Sequence, residues 1–320
     1  MSTLDSEHQP GDDTTFRPMT MDEMIGQEPL RRQLSVYMQS AKMRKQPLEH
    51  VMLSGPKGLG KTTIARIIAN ETGGNLIETI GATFADAPLH TTFSGMKPGD
   101  VFFIDEVHSV PLDMQERLYP VMEDSVLHLQ KPGYKPQVVK LPKITIVGAT
   151  TNDGMVAGPL RDRFGLNFTL DFYTEDELIQ IVERDFEMLG VTCAESVLTV
   201  LAKCARGTPR IGKRLARRLA DYGVVEGNGH VCENVMKTAF HDMGINEAGL
   251  DKVDMAILHC INDAGGRAGL QTLSYVTGAD VETIRDKHES YLLRESYIMV
   301  TPRGRVLTVR GKQAIRAFSK

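Results

Sequence analysis

The sequence predicts an α/β domain built on a parallel sheet, followed by an all-α domain and a C-terminal winged helix. Short apolar runs alternate with helical patterns from residue 51 to 172, as is typical of parallel strands covered by helices. The pattern is helical throughout from 175 to 245. After residue 250, three helical runs lead to two short strand-like runs around a turn that contains Pro and Gly, which is the element order of a winged helix.

These changes of pattern predict four segments. We expect a disordered acidic tail at 1–15, a large domain at 16–174, a helical domain at 175–246 and a winged helix at 247–320. The tail contains no Lys or Arg and is typical of neither a signal nor a transit peptide, so we expect a cytoplasmic protein. No apolar run approaches the roughly 18 residues of a membrane span, so we expect no membrane partner.

Composition is that of an ordinary globular protein, with 41% hydrophobic and 24% charged residues and a net charge of −4. The four cysteines are widely spaced and form no C-x-x-C pair, which favours free thiols. The nine histidines form no cluster with ligand spacing, so no zinc site is expected.

A phosphate-binding motif organises the large domain. Residues 55–63 match G-x-x-x-x-G-K-[ST] between an apolar strand and a helix. Gly58 and Gly60 let backbone N–H groups converge on one hollow at the N-terminus of the helix. Lys61 can reach the β and γ phosphates of a nucleotide, and Thr62 can offer its hydroxyl to Mg²⁺. The alternative, a glycine-rich turn that happens to precede Lys-Thr, is disfavoured by the strand before it and the helix after it.

A second acidic motif follows downstream. The apolar run from Val101 ends in Asp105 and Glu106, and the carboxyl ends of parallel strands form the ligand-binding edge of such a sheet. Asp105 there can hold Mg²⁺, and Glu106 can activate the attacking water. A strand that simply exits to solvent is the alternative, and the nearby phosphate motif makes it improbable.

Three further stretches have open interpretations. Two strand-like runs within 126–140 flank a Pro/Gly tip and predict a hairpin, either a contact arm for a partner or an inert projection. Basic residues recur on one face of the helix at 210–218, usually a solvated face. Residues 303–320 contain six basic residues and no acidic one; Arg303 and Arg305 there suit a phosphate backbone, and the alternative is a solvated tail.

Several motifs together resemble the RuvB family, the AAA+ motors of Holliday-junction branch migration. The resemblance spans about 16 to 310, and its most selective parts are Pro159–Gly165, Gly207–Ile211 and Thr301–Arg305. The other matching stretches are Phe16-Arg17-Pro18, Ile25-Gly26-Gln27, Gly55–Thr63, Phe103–His108, Leu118-Tyr119-Pro120, Met122-Glu123-Asp124, Gly148–Thr151 and Phe172-Tyr173.

The resemblance implies a P-loop NTPase of the AAA+ class with a helical lid, and it implies roles for particular residues. Thr150 or Thr151, preferably Thr151, would be a first sensor of the γ phosphate, and Arg210 a second. Arg163 would be the finger that reaches a neighbouring subunit's ATP; Arg161 is a nearer rival, and an ion pair with Asp162 or a lid carboxylate is the structural alternative. The nucleotide-contacting residues would be Phe16, Arg17, Gly58, Gly60, Lys61, Thr62, Thr63, Glu123, Asp124, Tyr173 and Arg210.

The family resemblance also implies a function. ATP and Mg²⁺ would be the cofactors, a homo-oligomeric, hexameric ring the working form, and duplex or four-way junction DNA the substrate. A RuvA-type protein would dock through the hairpin at 126–140, although this hairpin is shorter than is usual in the family. In the phosphate-binding loop, Lys57 stands where the family usually has proline. Two other classes stay open: a DNA-binding ATP switch with slow turnover, resembling an initiator or a clamp loader, and an AAA+ remodeller of proteins.

Overall fold

The computed structural model describes residues 17–86, 89–129 and 137–318. The predicted tail, Phe16 and the tip of the hairpin lie outside these ranges. The chain divides into two compact units, one of Met1–Glu177 with Thr208–Arg210 and the other of Leu178–Gly207 with Ile211–Lys320. Within the described ranges, every helix is too short or too polar to cross a membrane.

The first unit contains the predicted parallel sheet. Its strands are β1 Val51–Ser54, β2 Leu76–Ile80, β3 Val101–Asp105, β4 Val126–Leu129, β5 Gln137–Lys140, β6 Thr145–Thr150 and β7 Leu166–Thr169. Five of them form one sheet in the order β2-β3-β6-β1-β7, and all neighbours are parallel. β4 and β5 pair antiparallel outside this sheet, which confirms the predicted hairpin strands.

Helices cover the sheet because their apolar residues recur at helical spacing. They are α1 Glu28–Arg44, α2 Lys61–Thr72, α3 Leu89–Ser94, α4 Leu112–Asp124 and α5 Gly158–Arg161. Ile64, Ile67 and Ile68 of α2 are fully buried, as expected for a helix with apolar residues on most sides. A further core joins Phe102 of β3 to Leu118 of α4. The glycine-rich loop, Asp105–Glu106 and Thr150–Thr151 lie at the carboxyl edge of this covered sheet.

A partly buried histidine bridges two parts of this unit. The imidazole of His50 lies 3.0 Å from the Met122 carbonyl oxygen through Nε2 and 3.0 Å from the Ile146 nitrogen through Nδ1. Nδ1 must accept the backbone N–H, so the ring is the neutral tautomer with its proton on Nε2. Burial lowers the pKa of His50 from its ordinary 6.5, and the Met122 hydrogen bond opposes this only in part.

This environment predicts a pH-dependent stability. Because the folded-state pKa of His50 is lowered, its contribution is fully present above about pH 6.5 and is lost as pH falls towards the folded value, by at most about 1.4 kcal/mol per pH unit. We expect His50→Gln to weaken the dependence of the urea midpoint on pH between about 7.5 and 5.5. His241→Gln, at an exposed position, is the matched control. An unchanged dependence in His50→Gln would contradict the assignment.

The second unit begins with a helical region. Its helices are α6 Glu175–Met188, whose first turn belongs to the first unit, α7 Glu195–Cys204, α8 Pro209–Glu226 and α9 Glu233–Met243. Val182, Leu201, Leu219 and Phe240 share one core. Two very short strands, β8 Thr192–Cys193 and β9 His230–Val231, pair in parallel. The helical pattern at 175–245 predicted an all-α region here, but it did not locate this strand pair.

The winged helix follows with its own core, which includes Ile257, Ile284 and Leu307. Its elements are α10 Lys252–Asp263, β10 Arg267–Ala268, α11 Leu270–Thr277, α12 Val281–Thr283, a π-helical stretch at Ile284–Glu289, α13 Ser290–Arg294, β11 Ile298–Thr301, β12 Gly304–Leu307 and α14 Val309–Phe318. The strand order is β10-β12-β11, with antiparallel pairs.

Two details of the wing differ from the sequence prediction. The turn is tighter than residues 301–305, because Gly304 adopts a φ of 124° and the Thr301 hydroxyl donates to its carbonyl at 2.7 Å. Arg305 therefore lies in a strand opposite Val300. The basic C-terminal segment is mostly the helix α14 rather than a tail.

Candidate nucleotide site

The site forms where three neighbouring strands of the sheet end. β3, β6 and β1 lie side by side, and their carboxyl ends lead into Asp105–Glu106, Thr150–Thr151 and the glycine-rich loop, respectively. Each strand end is the point at which a buried apolar run becomes polar. The fold thus brings to one edge three motifs that are separated by about fifty residues each in the sequence, as expected for an α/β ligand site.

The glycine-rich loop has the shape of a phosphate cradle. Gly58 and Gly60 have φ values of 87° and 103°, which L side chains rarely adopt. A Cβ on Gly58 would lie 3.0 Å from the Cβ of Arg210, so a larger residue would also press against Arg210. Lys61 begins α2 and is 7% exposed; its Nζ donates to the carbonyl oxygens of Gly55 and Pro56 at 2.6 and 3.0 Å. Burial lowers the pKa of Lys61, against the opposing influence of Glu106 and Asp105.

The remaining phosphate-loop residues follow from the start of α2. Thr62 and Thr63 lie in its first turn and are partly buried. Asp105 ends β3, and its Oδ1 accepts the backbone N–H of Glu106 at 3.0 Å. A hydroxyl and a carboxylate are the oxygen ligands that Mg²⁺ prefers. The donor chemistry and the glycine cradle therefore fit a magnesium–nucleotide.

Glu106 lies in a hydrogen-bonded network at the strand ends. Its backbone is left-handed, with φ 50°, and its Oε2 accepts from the Thr151 hydroxyl at 3.0 Å and the Thr151 N–H at 3.3 Å. The Nδ1 of His108 lies 3.4 Å from the same carboxylate oxygen and 2.9 Å from the buried Thr150 hydroxyl. The candidate base thus contacts the candidate sensor directly.

The sequence analysis assigned no role to His108, which lies in this network. The signal available was its position two residues after Glu106 in Asp-Glu-Val-His. His108 lies in the 3₁₀ turn at Val107–Ser109, and from this turn its Nδ1 reaches the Thr150 hydroxyl. The geometry also separates the two threonines between which the sequence left a choice, since Thr151, and not Thr150, contacts Glu106.

Tyr173 and Arg210 border the loop from outside the sheet. The Tyr173 hydroxyl donates to the Leu59 carbonyl at 3.2 Å, its ring is 7% exposed, and burial raises the pKa of its phenol. Gly26 allows this close approach, because a Cβ there would lie 2.7 Å from the ring. The backbone N–H of Arg210 donates to the Gly58 carbonyl at 3.4 Å, and its side chain is exposed. Arg17 is partly buried near the start of the described chain.

Arg163 and Glu123, predicted for different roles, contact each other. The Arg163 guanidinium lies 2.9 Å from Glu123 Oε1 and 4.0 Å above the Tyr119 ring, and it donates to the Pro159 carbonyl at 2.5 Å. The exposed Asp124 is the last residue of α4. The structure therefore pairs the predicted finger with a carboxylate from the predicted nucleotide-contact stretch.

The two predicted DNA-binding arginines differ in their surroundings. Arg303 is exposed in the turn of the wing. Arg305 donates through one guanidinium nitrogen to both carboxylate oxygens of Glu289, at 2.9 and 2.8 Å. Glu289 is 6% exposed, so Arg305 neutralises a buried charge, a role that the sequence gave no reason to expect.

The fold and this edge of the sheet define the class first: the chain is a P-loop ATPase of the AAA+ type that has a helical lid and a winged helix. Residues 16–170 match the family described as the Holliday junction DNA helicase RuvB P-loop domain. Residues 173–246 match the RuvB AAA lid domain, and residues 247–316 match the RuvB C-terminal winged helix domain. The chain belongs to the RuvB family.

Solved structures are similar over nearly the whole length. The Thermotoga maritima RuvB Holliday junction branch migration motor is 36% identical, with a TM-score of 0.80, and the match covers 94% of this chain and 98% of that chain. Two mutant forms of that protein match with the same coverage, at 35% and 36% identity and a TM-score of 0.81 each. These findings confirm the predicted family and fold class.

Proposed function

We propose that this protein is an ATP-driven DNA motor subunit that drives branch migration of Holliday junctions in recombination and repair. The observation that carries the proposal is the family match through all three domains, in a chain whose sheet edge brings Lys61, Asp105–Glu106 and Thr151 together. A switch with slow turnover would need the same ATP site, but the winged-helix match is to a branch-migration family.

ATP would bind at the glycine-rich loop, with Mg²⁺ supplying charge neutralisation at the phosphates. Lys61 would reach the β and γ phosphates, and Thr62 and Asp105 would hold the ion. Glu106 would accept a proton from the attacking water, a role for which its carboxylate oxygen is already oriented by Thr151. Phe16, Arg17 and Tyr173 would line the base and sugar; Glu123 and Asp124 would also contact the nucleotide.

Two arginines would act at the ATP site, one as a sensor of the phosphate and one as a finger from a neighbouring subunit. Arg210 would respond to the phosphate from beside Gly58, which its backbone already contacts. Arg163 would complete the ATP site of an adjacent subunit in a ring, which we take to be hexameric. Within its own subunit, the ion pair with Glu123 holds the Arg163 guanidinium in a defined direction.

Partners follow from the same family. The substrate would be four-way junction or duplex DNA, and a RuvA-type protein would dock on the hairpin formed by β4 and β5. Val138 of this hairpin is 60% exposed. A protein that works on chromosomal junctions would act in the cytoplasm.

The test is an assay of ATP turnover and branch migration with purified protein. Turnover would be measured alone, with four-way junctions, and with junctions plus a RuvA-type protein, while fluorescent junction arms report strand exchange. A motor gives DNA-stimulated turnover, junction dissociation and displacement of a roadblock on duplex DNA. Slow, unstimulated turnover with DNA binding would favour the switch, and failure of residues 250–320 to contribute salt-sensitive DNA binding would favour the protein remodeller.

The wing provides a separate prediction about DNA contact. If Arg303 and Arg305 both neutralise phosphates, their replacement by Ala should flatten the slope of log K against log salt by about 1.8, taking ~0.9 per phosphate. Arg303→Ala alone should account for about half of this. Binding should weaken alike for all duplex sequences, as measured by fluorescence anisotropy across a salt series.

The ion pair of Arg305 makes the single variants informative. Lys237→Ala, at an exposed position of α9, is the control and should leave the slope unchanged. If Arg305→Ala leaves the slope unchanged, Arg305 remains with Glu289 and its DNA role is wrong. If the double variant keeps the wild-type slope, DNA binds elsewhere, and the basic face at 210–218 becomes the next candidate.

A further inference from the structure

Arg206 joins the lid to the winged helix through an almost buried side chain. Its guanidinium is 10% exposed, donates to the Gly249 carbonyl at 2.6 Å, and forms a hydrogen-bonded ion pair with Asp254, a residue with no exposed surface. It also lies 4.1 Å from the centre of the Tyr291 ring. Arg206 follows α7 of the lid, whereas the other three residues belong to the winged-helix segment. One side chain thus makes a charge pair, a backbone contact and an aromatic contact across this junction.

The winged-helix side of the junction is built to receive this arginine. Asp254 Oδ1 accepts from His288 Nδ1 at 2.6 Å, and its Oδ2 accepts the Asp251 N–H at 2.9 Å. Burial alone would raise the pKa of Asp254, but the His288 hydrogen bond and the charge of Arg206 hold that pKa below its usual range. The Tyr291 hydroxyl donates to the Ala248 carbonyl at 3.1 Å. The partners of Arg206 are therefore fixed by their own contacts.

The same residues could suggest a metal site, but their contacts favour the ion pair. Asp251, Asp254 and His288 bring ligand atoms within 4.8 Å of one another. Arg206 already supplies the positive charge that the buried Asp254 requires, and a second cation there would face the guanidinium at close range. We therefore interpret this cluster as the receiving end of Arg206.

The backbone around Arg206 is constrained as well. Arg206 has a φ of 56°, and its carbonyl accepts from Arg294 at 2.7 Å. Such a conformation persists in a residue other than glycine when its surroundings determine it strongly. Gly249 lies against the end of α7, where a Cβ would approach the Cys204 Cα to 2.8 Å. Backbone and side chain of Arg206 are thus both held by the winged-helix segment.

Sequence position connects this junction to the nucleotide loop. Arg206 is followed by Gly207, where the chain leaves the second unit, and the next three residues, Thr208–Arg210, belong to the ATPase unit. In that unit, the Arg210 N–H donates to the Gly58 carbonyl. Arg206 is thus separated by one glycine in sequence from a segment that contacts the glycine-rich loop.

We propose that Arg206 is a positioning residue that locks the lid and the winged helix into one rigid body, so that movement of the segment at Thr208–Arg210 reaches the DNA-binding wing undiminished. The rigid body follows from the contacts of Arg206 alone. Transmission of movement to the wing rests on the proposed motor function.

The rigid body is tested by distance measurements in the full-length chain. Spin labels would be placed at Val225 of α8 and Tyr275 of α11, which are 81% and 88% exposed, after replacement of the four cysteines. We expect a narrow distance distribution in the parent, and a clearly broadened one in Arg206→Gln and in Asp254→Asn. Arg218→Gln removes an exposed ion pair with Asp221 and should leave the distribution narrow. If the distance distribution stays narrow in both Arg206→Gln and Asp254→Asn, the proposal is overturned.

Transmission is tested by the ratio of base pairs migrated to ATP hydrolysed. We expect Arg206→Gln to keep its ATP turnover within about two-fold and to lower this ratio by about 2- to 30-fold, the range of measured coupling effects. Arg206→Lys keeps the positive charge but lacks the planar guanidinium, so its ratio should lie between those of the parent and Arg206→Gln. An unchanged ratio, or turnover and migration that fall together, would overturn transmission. If the parent chain migrates no junctions, the proposed function fails, and the label distances still decide the rigid body.

Discussion

Glu106→Gln is expected to bind ATP as the wild type does and to lose nearly all hydrolysis. The substitution removes the charge needed to accept a proton from water, and an effect of about 10²- to 10⁴-fold on turnover is typical of a lost general base. The glutamine oxygen can still accept from the Thr151 hydroxyl, which in the wild type donates to Glu106 Oε2 at 3.0 Å, so the surrounding strand ends should keep their arrangement. Asp105, the proposed magnesium ligand, is untouched.

Lys61→Ala is the contrasting variant in the same site. It removes the ammonium that would neutralise the β and γ phosphates, and we expect a large loss of binding rather than a selective loss of chemistry. Binding of ATP would be measured by titration calorimetry and turnover by phosphate release for both variants. Glu116→Gln, at an exposed position of α4, is the matched control for loss of one carboxylate. Turnover close to wild type in Glu106→Gln would disprove the role assigned to Glu106.

The elements that local sequence determines were the ones that could be predicted. β3 was visible as an apolar run that ends in two carboxylates, because period and length are local properties. The glycine-rich loop was visible because its chemistry requires contiguous residues. Even so, helical spacing does not set burial. Tyr37 lies three residues after the fully buried Leu34 in α1 and is 39% exposed, since the pattern does not state how far the neighbouring layer extends.

Contacts between distant residues could not be predicted in the same way. The hydrogen bonds between Glu106 and Thr151 depend on β3 and β6 being neighbours, which the alternation of strands and helices allows but does not require. The ion pairs of Arg163 with Glu123 and of Arg305 with Glu289 join residues whose separation in sequence carries no signal. Arg305 was assigned to the turn because it follows Pro302 and Gly304 between two strand-like runs. Its strand position follows from the φ of Gly304, a backbone angle that the sequence does not state.

Arg163 makes several contacts within its own subunit, and these define the structural alternative to its role as a finger. Arg163 contacts Glu123, Tyr119 and the Pro159 carbonyl, so a purely structural role now has named partners. If that role were the whole function, Arg163→Ala and Glu123→Gln should lower the melting temperature together and leave turnover per folded subunit unchanged. If Arg163 acts on a neighbour's ATP, turnover should fall by about 10³-fold or more, the effect typical of an arginine finger.

Complementation between subunits decides whether Arg163 acts in trans. Arg163→Ala subunits retain their own phosphate loop, and Lys61→Ala subunits retain their own finger, so each should be nearly inactive alone. In a mixed ring, an intact loop can face an intact finger, and part of the ATPase should return, with a maximum at intermediate mixing ratios. Steady-state turnover would be measured across the ratios, and native mass spectrometry would verify that mixed rings form.

Arg161→Ala is the matched control for this experiment. Arg161 lies two residues before Arg163 and contacts Asp153 within its own subunit, with 3.7 Å between Nε and Oδ1, so it tests a nearby arginine with a local partner. We expect Arg161→Ala to keep most of its own turnover and to need no complementation. If mixed rings of Arg163→Ala and Lys61→Ala never exceed the sum of their separate activities, the role in trans is wrong. If Arg161→Ala instead shows the loss and the recovery, the finger lies two residues earlier in the chain.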